Sequence, residues 1–240
     1  MLDLKFIGIG GATCIDLGEN SAYLKQGKSL LVIDLSGDVT KKLNDLKVFD
    51  GVNDVTVVLT HLHSDHVAGL GVFLWYLNFV KKIKPNFIIN SEEFNEELLM
   101  LMKLQGINPS LVNFIDQAEF NMNSLKLKML PTNHAKNLKC FGIMFSDNDG
   151  QYYYSGDTRD FDRIRDFYYS DEVKKIYLEV ARETYGVHIA YNDIKSLDIK
   201  NKNKLILMHI SDVMLYNQIK DEGYNVAKIE NPYHAVENGK

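Results

Sequence analysis

Apolar and polar residues trade places in short runs along most of this chain, and only a few stretches keep a helical spacing. "LDLKFIGI" alternates and stops at Gly10 and Gly11, which predicts a strand. "SAYLKQGKSLLVIDL" predicts a hairpin turning at Gly27, and the β-branched run "DVTVVLT" predicts a strand buried on both faces. "VAGLGVFLWYLNFVKKI" has apolar residues at helical and other spacings, which predicts a well-buried helix with Trp75 in the core. "NFIIN" reads as a strand, and Ser91 ahead of "EEFNEELLMLMKL" reads as the cap of a helix that opens on acids.

The second half repeats the alternation. "SLVNFID", "AEFNMNSLKLKMLPT" and "KCFGIMFSDNDGQYYYSGD" are strand-rich, the last with a turn over Asp147–Gly150 and with Tyr152, Tyr153 and Tyr154 as strand packing. "DFDRIRDFYY", "NDIKSLDI" and "SDVMLYNQIKDEG" read as helices, the last closed by Gly223. "KKIYLEV", "NKLILMHIS" and "YNVAKI" read as strands. Sheet-rich runs with helices in both halves predict an α/β fold in which helices cover two stacked sheets. With 4 prolines, no Gly/Ser tract and no repeat, residues 1–240 read as one domain.

Composition narrows the classes. A net charge of −5 leaves no basic excess for bulk nucleic-acid binding, although a locally positive site for a small anion remains compatible with it. No apolar run approaches the roughly 18 residues of a membrane span. "MLDLKFIGIGG" mixes charge into a strand pattern instead of resembling an export leader, so the expectation is a cytoplasmic protein with no membrane partner. Cys14 and Cys140 have no partner at CxxC spacing and are expected to be buried thiols.

The chemistry concentrates in "THLHSDHVAGL", where His61, His63, Asp65 and His66 fall within six residues and use three of the chain's 7 histidines. His61 and His63 are two apart, so on an extended segment both rings point the same way. Asp65 and His66 follow where a helix must begin. Imidazoles and carboxylates suit borderline cations such as Zn²⁺. Four such groups from one short loop cannot close around one ion without strain, whereas two ions side by side can share them.

This HxHxDH loop resembles the signature of the metallo-β-lactamase superfamily. Later stations follow in that family's order: His134 in "PTNHA", Asp157 in "YYYSGDT" and His209 in "LILMHIS". The resemblance implies a four-layer αββα sandwich with two divalent metal ions at one edge of the paired sheets. It assigns His61, His63 and His134 to the first ion and Asp65, His66 and His209 to the second. Asp157 would bridge them beside a hydroxide that attacks the substrate. Zinc is the expected metal, with manganese or iron as alternatives.

The stretch "KKIYLEVARETYGVHIAYNDIKSLDIKNKNKLILMHIS" is similar to the matching part of ribonuclease Z-like phosphodiesterases. That resemblance implies that Glu179 orients His188 and that His188 protonates the leaving oxygen, with Asp65 counted beside them among the catalytic residues. Ribonuclease Z inserts a long transfer-RNA-gripping arm between the stations of His134 and Asp157, where here only a hairpin fits. The layout resembles smaller relatives that open cyclic nucleotides. Some of these are phage-encoded and erase a nucleotide immune signal, and such enzymes are often homodimers. The expected function is therefore a dinuclear metal-dependent phosphodiesterase acting on a small, cyclic nucleotide. A lactonase or related ester hydrolase, an RNA 3′-end processing nuclease and a non-catalytic metal- or nucleotide-binding protein are the alternatives.

Three further features are weaker. "GIGGAT" has Thr13 where a dinucleotide fingerprint needs its third glycine, so it reads as a tight loop near the site. Arg159 is either a phosphate contact or a surface charge. His234 is either a solvated tail residue or a contribution to a neighbouring active site.

Overall fold

The parallel pairing of β3 (Ser29–Ile33) with β4 (Asp54–Val58) brings two strand ends side by side, and the metal-binding motif follows directly from one of them. A computed structural model describes residues 2–117 and 119–230, so His234 lies outside the described residues. The first sheet runs in the order β1-β2-β3-β4-β5-β6, with β1 at Lys5–Gly8, β2 at Ser21–Gln26, β5 at Asn86–Ile89 and β6 at Asn113–Asp116. Its first half is antiparallel and its second half parallel.

The second sheet has seven strands among the described residues, ordered β13-β12-β11-β10-β9-β8-β7. These are β7 (Glu119–Met122), β8 (Leu125–Pro131), β9 (Phe141–Asp147), β10 (Gly150–Tyr154), β11 (Val173–Val180), β12 (Leu205–Ile210) and β13 (Asn225–Val226). Strands β10 to β13 are parallel, so β10, β11 and β12 carry Asp157, Glu179 and His209 at or just beyond their carboxyl ends. Open sheets place ligands at such ends.

The sheets stack face to face. Phe6 from β1 packs on Tyr154 of β10 and on Tyr177 of β11, with ring centroids 6.5 and 5.7 Å apart. Tyr152, Tyr153 and Tyr154 are fully buried, as expected of strand packing, and Tyr154 Oη accepts a hydrogen bond from Asn20 at 2.8 Å. Cys14 and Cys140 are buried free thiols. Helices α1 (Val39–Asp45), α2 (Ser64–Val67), α3 (Leu70–Trp75), α4 (Glu92–Leu104), α5 (Phe161–Tyr169), α6 (Tyr191–Ser196) and α7 (Val213–Asp221) complete the four-layer αββα sandwich. Ser91 caps α4 by accepting from the Phe94 amide at 3.2 Å, a contact worth about 1 kcal/mol. No helix among the described residues is long and apolar enough to cross a membrane.

One expectation fails. The segment after the histidines is not one well-buried helix. It breaks into α2, α3 and a π-helical turn over Tyr76–Lys81 that ends at Lys82 in a left-handed conformation. Leu70, Phe73, Leu74 and Leu77 keep the i, i+3, i+4, i+7 spacing and go inward. Apolar residues on the other faces have no core left to enter, so Val72, Phe79 and Val80 are exposed and Trp75, expected in the core, is 42% exposed.

Candidate metal centre

Seven side chains from four parts of the chain converge where the sheets meet. His61 and His63 extend from the end of β4, and Asp65 and His66 occupy the first turn of α2. His134 follows β8, Asp157 follows β10 and His209 lies near the end of β12. Two local backbone features aim the last two. His209 sits in a left-handed conformation (φ 48°) at a register shift between β11 and β12, a bulge that redirects its ring. A β-carbon at Gly11 would stand 3.3 Å from His209 Cε1, so a larger residue in the "GIGGAT" loop would press on that ring. Gly156 has a φ of 56°, and a β-carbon there would meet the Phe141 carbonyl oxygen at 2.5 Å.

The donor atoms form two neighbouring nests. His63 Nδ1 lies 3.0 Å from His61 Nε2 and 3.2 Å from His134 Nε2. Asp65 Oδ2 lies 3.3 Å from both His66 Nε2 and His209 Nε2. Asp157 faces both groups. Its Oδ2 is 3.6 Å from His134 Nε2 and 3.4 Å from His209 Nε2, and its Oδ1 is 3.6 Å from His66 Nε2. Tetrahedral zinc with Zn–N bonds of about 2.0–2.1 Å separates neighbouring donors by about 3.3 Å. The spacing observed is thus that of atoms around an ion.

The tautomers point the same way. Asp34 accepts from the Thr60 amide at 2.7 Å and from the Thr60 hydroxyl, whose oxygen is thereby left to accept from His61 Nδ1 at 3.1 Å. Asp34 Oδ2 also accepts from His66 Nδ1 at 2.9 Å, and the Val187 carbonyl accepts from His134 Nδ1 at 2.9 Å. Each of these rings therefore aims its Nε2 into the site, the orientation a metal-ligating imidazole takes from its outer hydrogen bond. His66 Nε2 and Asp157 Oδ1 are buried without a hydrogen-bond partner. Converging lone pairs and carboxylates repel one another unless positive charge lies between them, so the residues fit a divalent cation.

The charges agree. Burial pushes His61 well below the ordinary imidazole value, with His66 adding to it, and burial likewise lowers His63 and His134. Burial opposes charge on His66 and His209 too, but Asp157, joined by Asp34 or Asp65, outweighs it and raises both. Burial also opposes ionisation of Asp65 and Asp157, yet the surrounding histidines hold both carboxyls far below the usual range. The carboxylates thus favour positive charge at His66 and His209, the charge that cations would supply when bound.

Glu179 and His188 meet at the edge of this cluster. His188 Nδ1 lies 2.9 Å from Glu179 Oε2, and Glu179 Oε1 accepts from the Thr158 amide at 2.7 Å. Burial, reinforced by Asp157, raises the Glu179 carboxyl well above its ordinary value. Cations beside Asp157 would remove the second cause. A cavity of about 310 Å³ opens over the cluster, and Gly11, Ala12, Thr13, Tyr185, His188 and Ser211 line it beside the donors.

Arg159 does not line this cavity; its guanidinium donates to the Gly186 carbonyl at 3.2 Å. Asp34, Thr60 and Tyr185 also belong to the site, although no motif in the sequence marks them. An acid ending the apolar run "LLVID" was the available signal for Asp34.

Comparisons with known proteins fit this geometry. YhfI from Bacillus subtilis, a metallo-β-lactamase-fold protein, superposes with a TM-score of 0.69 over 94% of this chain and 95% of its own, at 14% identity. The short form of human tRNase Z gives 0.63 over 95% and 97%, also at 14% identity. At such identities the likeness shows the fold. An Anti-Pycsar protein Apyc1 from Paenibacillus harenae is 28% identical over 225 residues, covering 89% of this chain and 91% of the relative. One from Bacillus phage BSP38 is 25% identical over 88% of this chain and 90% of the relative. The family model described as Anti-Pycsar protein Apyc1 matches residues 2–233, and the chain belongs to that family.

Proposed function

We propose that the protein is a dinuclear metal-dependent phosphodiesterase that opens a small cyclic nucleotide, in keeping with a family whose members degrade cyclic nucleotide signals. The observation that carries this reading is the convergence of seven metal-type donors beside the Glu179–His188 pair, with His63, Asp65, His134, Asp157, His209 and His188 lining one cavity. His61, His63 and His134 would hold one cation and Asp65, His66 and His209 the other, with Asp157 between them. When bound, two divalent cations supply Lewis acidity and a nucleophile at neutral pH.

The chain's own groups do the rest. Asp34, Thr60 and the Val187 carbonyl hold three donor rings in register. Glu179 accepts from His188 Nδ1, and the Nε2–H of the imidazolium gives its proton to the departing ribose oxygen and leaves a neutral ring. Zinc suits an imidazole-rich set, with manganese or iron as alternatives. We read the chain as one domain over residues 1–240, because both sheets share one core. We also read it as a cytoplasmic homodimer, for which exposed Val72, Trp75, Phe79 and Val80 offer an apolar face.

A panel of cyclic mono- and dinucleotides, lactones and RNA 3′ ends, offered to protein of defined metal content, tests the reading. Fastest turnover of a cyclic nucleotide supports it, and preferred lactone opening or RNA trimming overturns it.

A further inference from the structure

We infer that Tyr185 is the platform on which the substrate's nucleobase stacks, an assignment that rests on the phosphodiesterase reading above. Among the described residues that line the cavity, Tyr185 alone carries a six-membered aromatic ring. Its side chain is no part of the core, the residue being 68% exposed. Gly11, Ala12 and Thr13 line the same cavity and carry nothing bulky, which leaves its volume of about 310 Å³ open to a flat ring.

The backbone beneath it is unusual. Tyr185 has a φ of 48° and Gly186 a φ of 76°, two left-handed residues in succession. A residue with a β-carbon stays in that region only where its surroundings hold it. Here the Val187 and His188 amides both donate to the Thr184 carbonyl, at 2.9 and 2.8 Å. The Gly186 carbonyl accepts from Arg159 and the Val187 carbonyl from His134 Nδ1. The turn is therefore tied to the donor cluster at one end and carries Tyr185 outward at the other.

Substrate chemistry supplies the remaining step. With the phosphate at the donor cluster and its leaving oxygen at His188, the sugar must extend towards the mouth and the base beyond it. Tyr185 stands three residues before His188 on the same hydrogen-bonded turn, so one segment presents both the proton donor and the flat surface. Base–aromatic stacking tolerates any base, because every base has a π-face.

The test compares wild type, Tyr185→Phe, Tyr185→Ala and Tyr185→Asn, the last because asparagine accepts left-handed backbone. Each metal-loaded protein is assayed with a 3′,5′-cyclic nucleotide and with ribose 3′,5′-cyclic phosphate, which has no base. Removing the ring should raise KM for the nucleotide about ten-fold or more with little change in kcat. The baseless substrate should not respond, and Tyr185→Phe should match wild type. Unchanged KM in both ring-less variants, or equal losses on both substrates, overturns the assignment. Calorimetric binding of a nucleoside monophosphate separates this from the functional reading. If wild type turns over neither substrate, the phosphodiesterase reading has failed. Weaker binding by the ring-less variants would then still support the platform, and equal binding would refute it.

Discussion

The Asp34 carboxylate stands 2.9 Å from His66 Nδ1 and, through the Thr60 hydroxyl, is one further hydrogen bond from His61 Nδ1. One fully buried acid thus orients a donor in each nest. Asp34→Asn keeps the shape but replaces one acceptor oxygen with a donor nitrogen. Outer hydrogen-bond partners of ligating histidines are worth roughly 10–100-fold in metal affinity. A loss of that size, shared by both sites, is expected in chelator competition. Unchanged affinity would mean that Asp34 serves packing alone.

His188 is expected to act on the leaving group and not on metal retention. His188→Ala should slow cyclic nucleotide opening by roughly 10²-fold or more, the scale of lost general-acid catalysis. Metal content should stay at the wild-type level. A p-nitrophenyl phosphodiester, whose phenolate departs without protonation, should be turned over at nearly the wild-type rate. Equal losses on both substrates would remove the assigned role.

Protons and cations compete for the same lone pairs. In the metal-free chain His66 and His209 titrate above the ordinary imidazole value of about 6.5. Their charge stabilises the metal-free fold fully below that value, and the contribution is lost as pH rises through the raised values. Cation affinity should therefore climb with pH over that range, with protons released on binding. Calorimetry in buffers of differing ionisation enthalpy measures the release, and pH-independent affinity would be the contrary result.

Asp212 stabilises the fold beside the site. It accepts from the Leu215 amide at 2.8 Å as the cap of α7 and takes two hydrogen bonds from Arg182, at 2.6 and 3.1 Å. Burial opposes its charge, but Arg182 and the Leu215 amide hold its carboxyl below the usual value. Its contribution is thus complete above about pH 3.9 and is lost as pH falls through the depressed value. Asp212→Ala should cost about 1 kcal/mol in denaturant unfolding at neutral pH, and the difference from wild type should shrink in acid.

Much of the centre was legible because its donors obey simple rules. HxHxDH compresses four ligands into one strand-to-helix junction, and His134, Asp157 and His209 each lie at or just after a strand that reads clearly from its alternating or apolar pattern. Asp34 was hidden because a single acid after "LLVI" looks like an ordinary strand terminator, and its partner His66 is 32 residues away. Tyr185 gave no periodic signal at all, since its position depends on a left-handed turn. The break after α2 was missed for a different reason. Apolar residues on every face suggest full burial, but sequence spacing does not say how much of a helix surface the rest of the protein will cover.

The central claim is tested most directly by following a 3′,5′-cyclic nucleotide chromatographically with purified protein, before chelation, after it, and after divalent cation is restored. The account predicts conversion to a linear nucleoside monophosphate that stops on chelation and returns as the chain takes up two cations. A cyclic nucleotide that stays intact with Zn²⁺, Mn²⁺ and Fe²⁺ alike, or an activity indifferent to chelation, would contradict it.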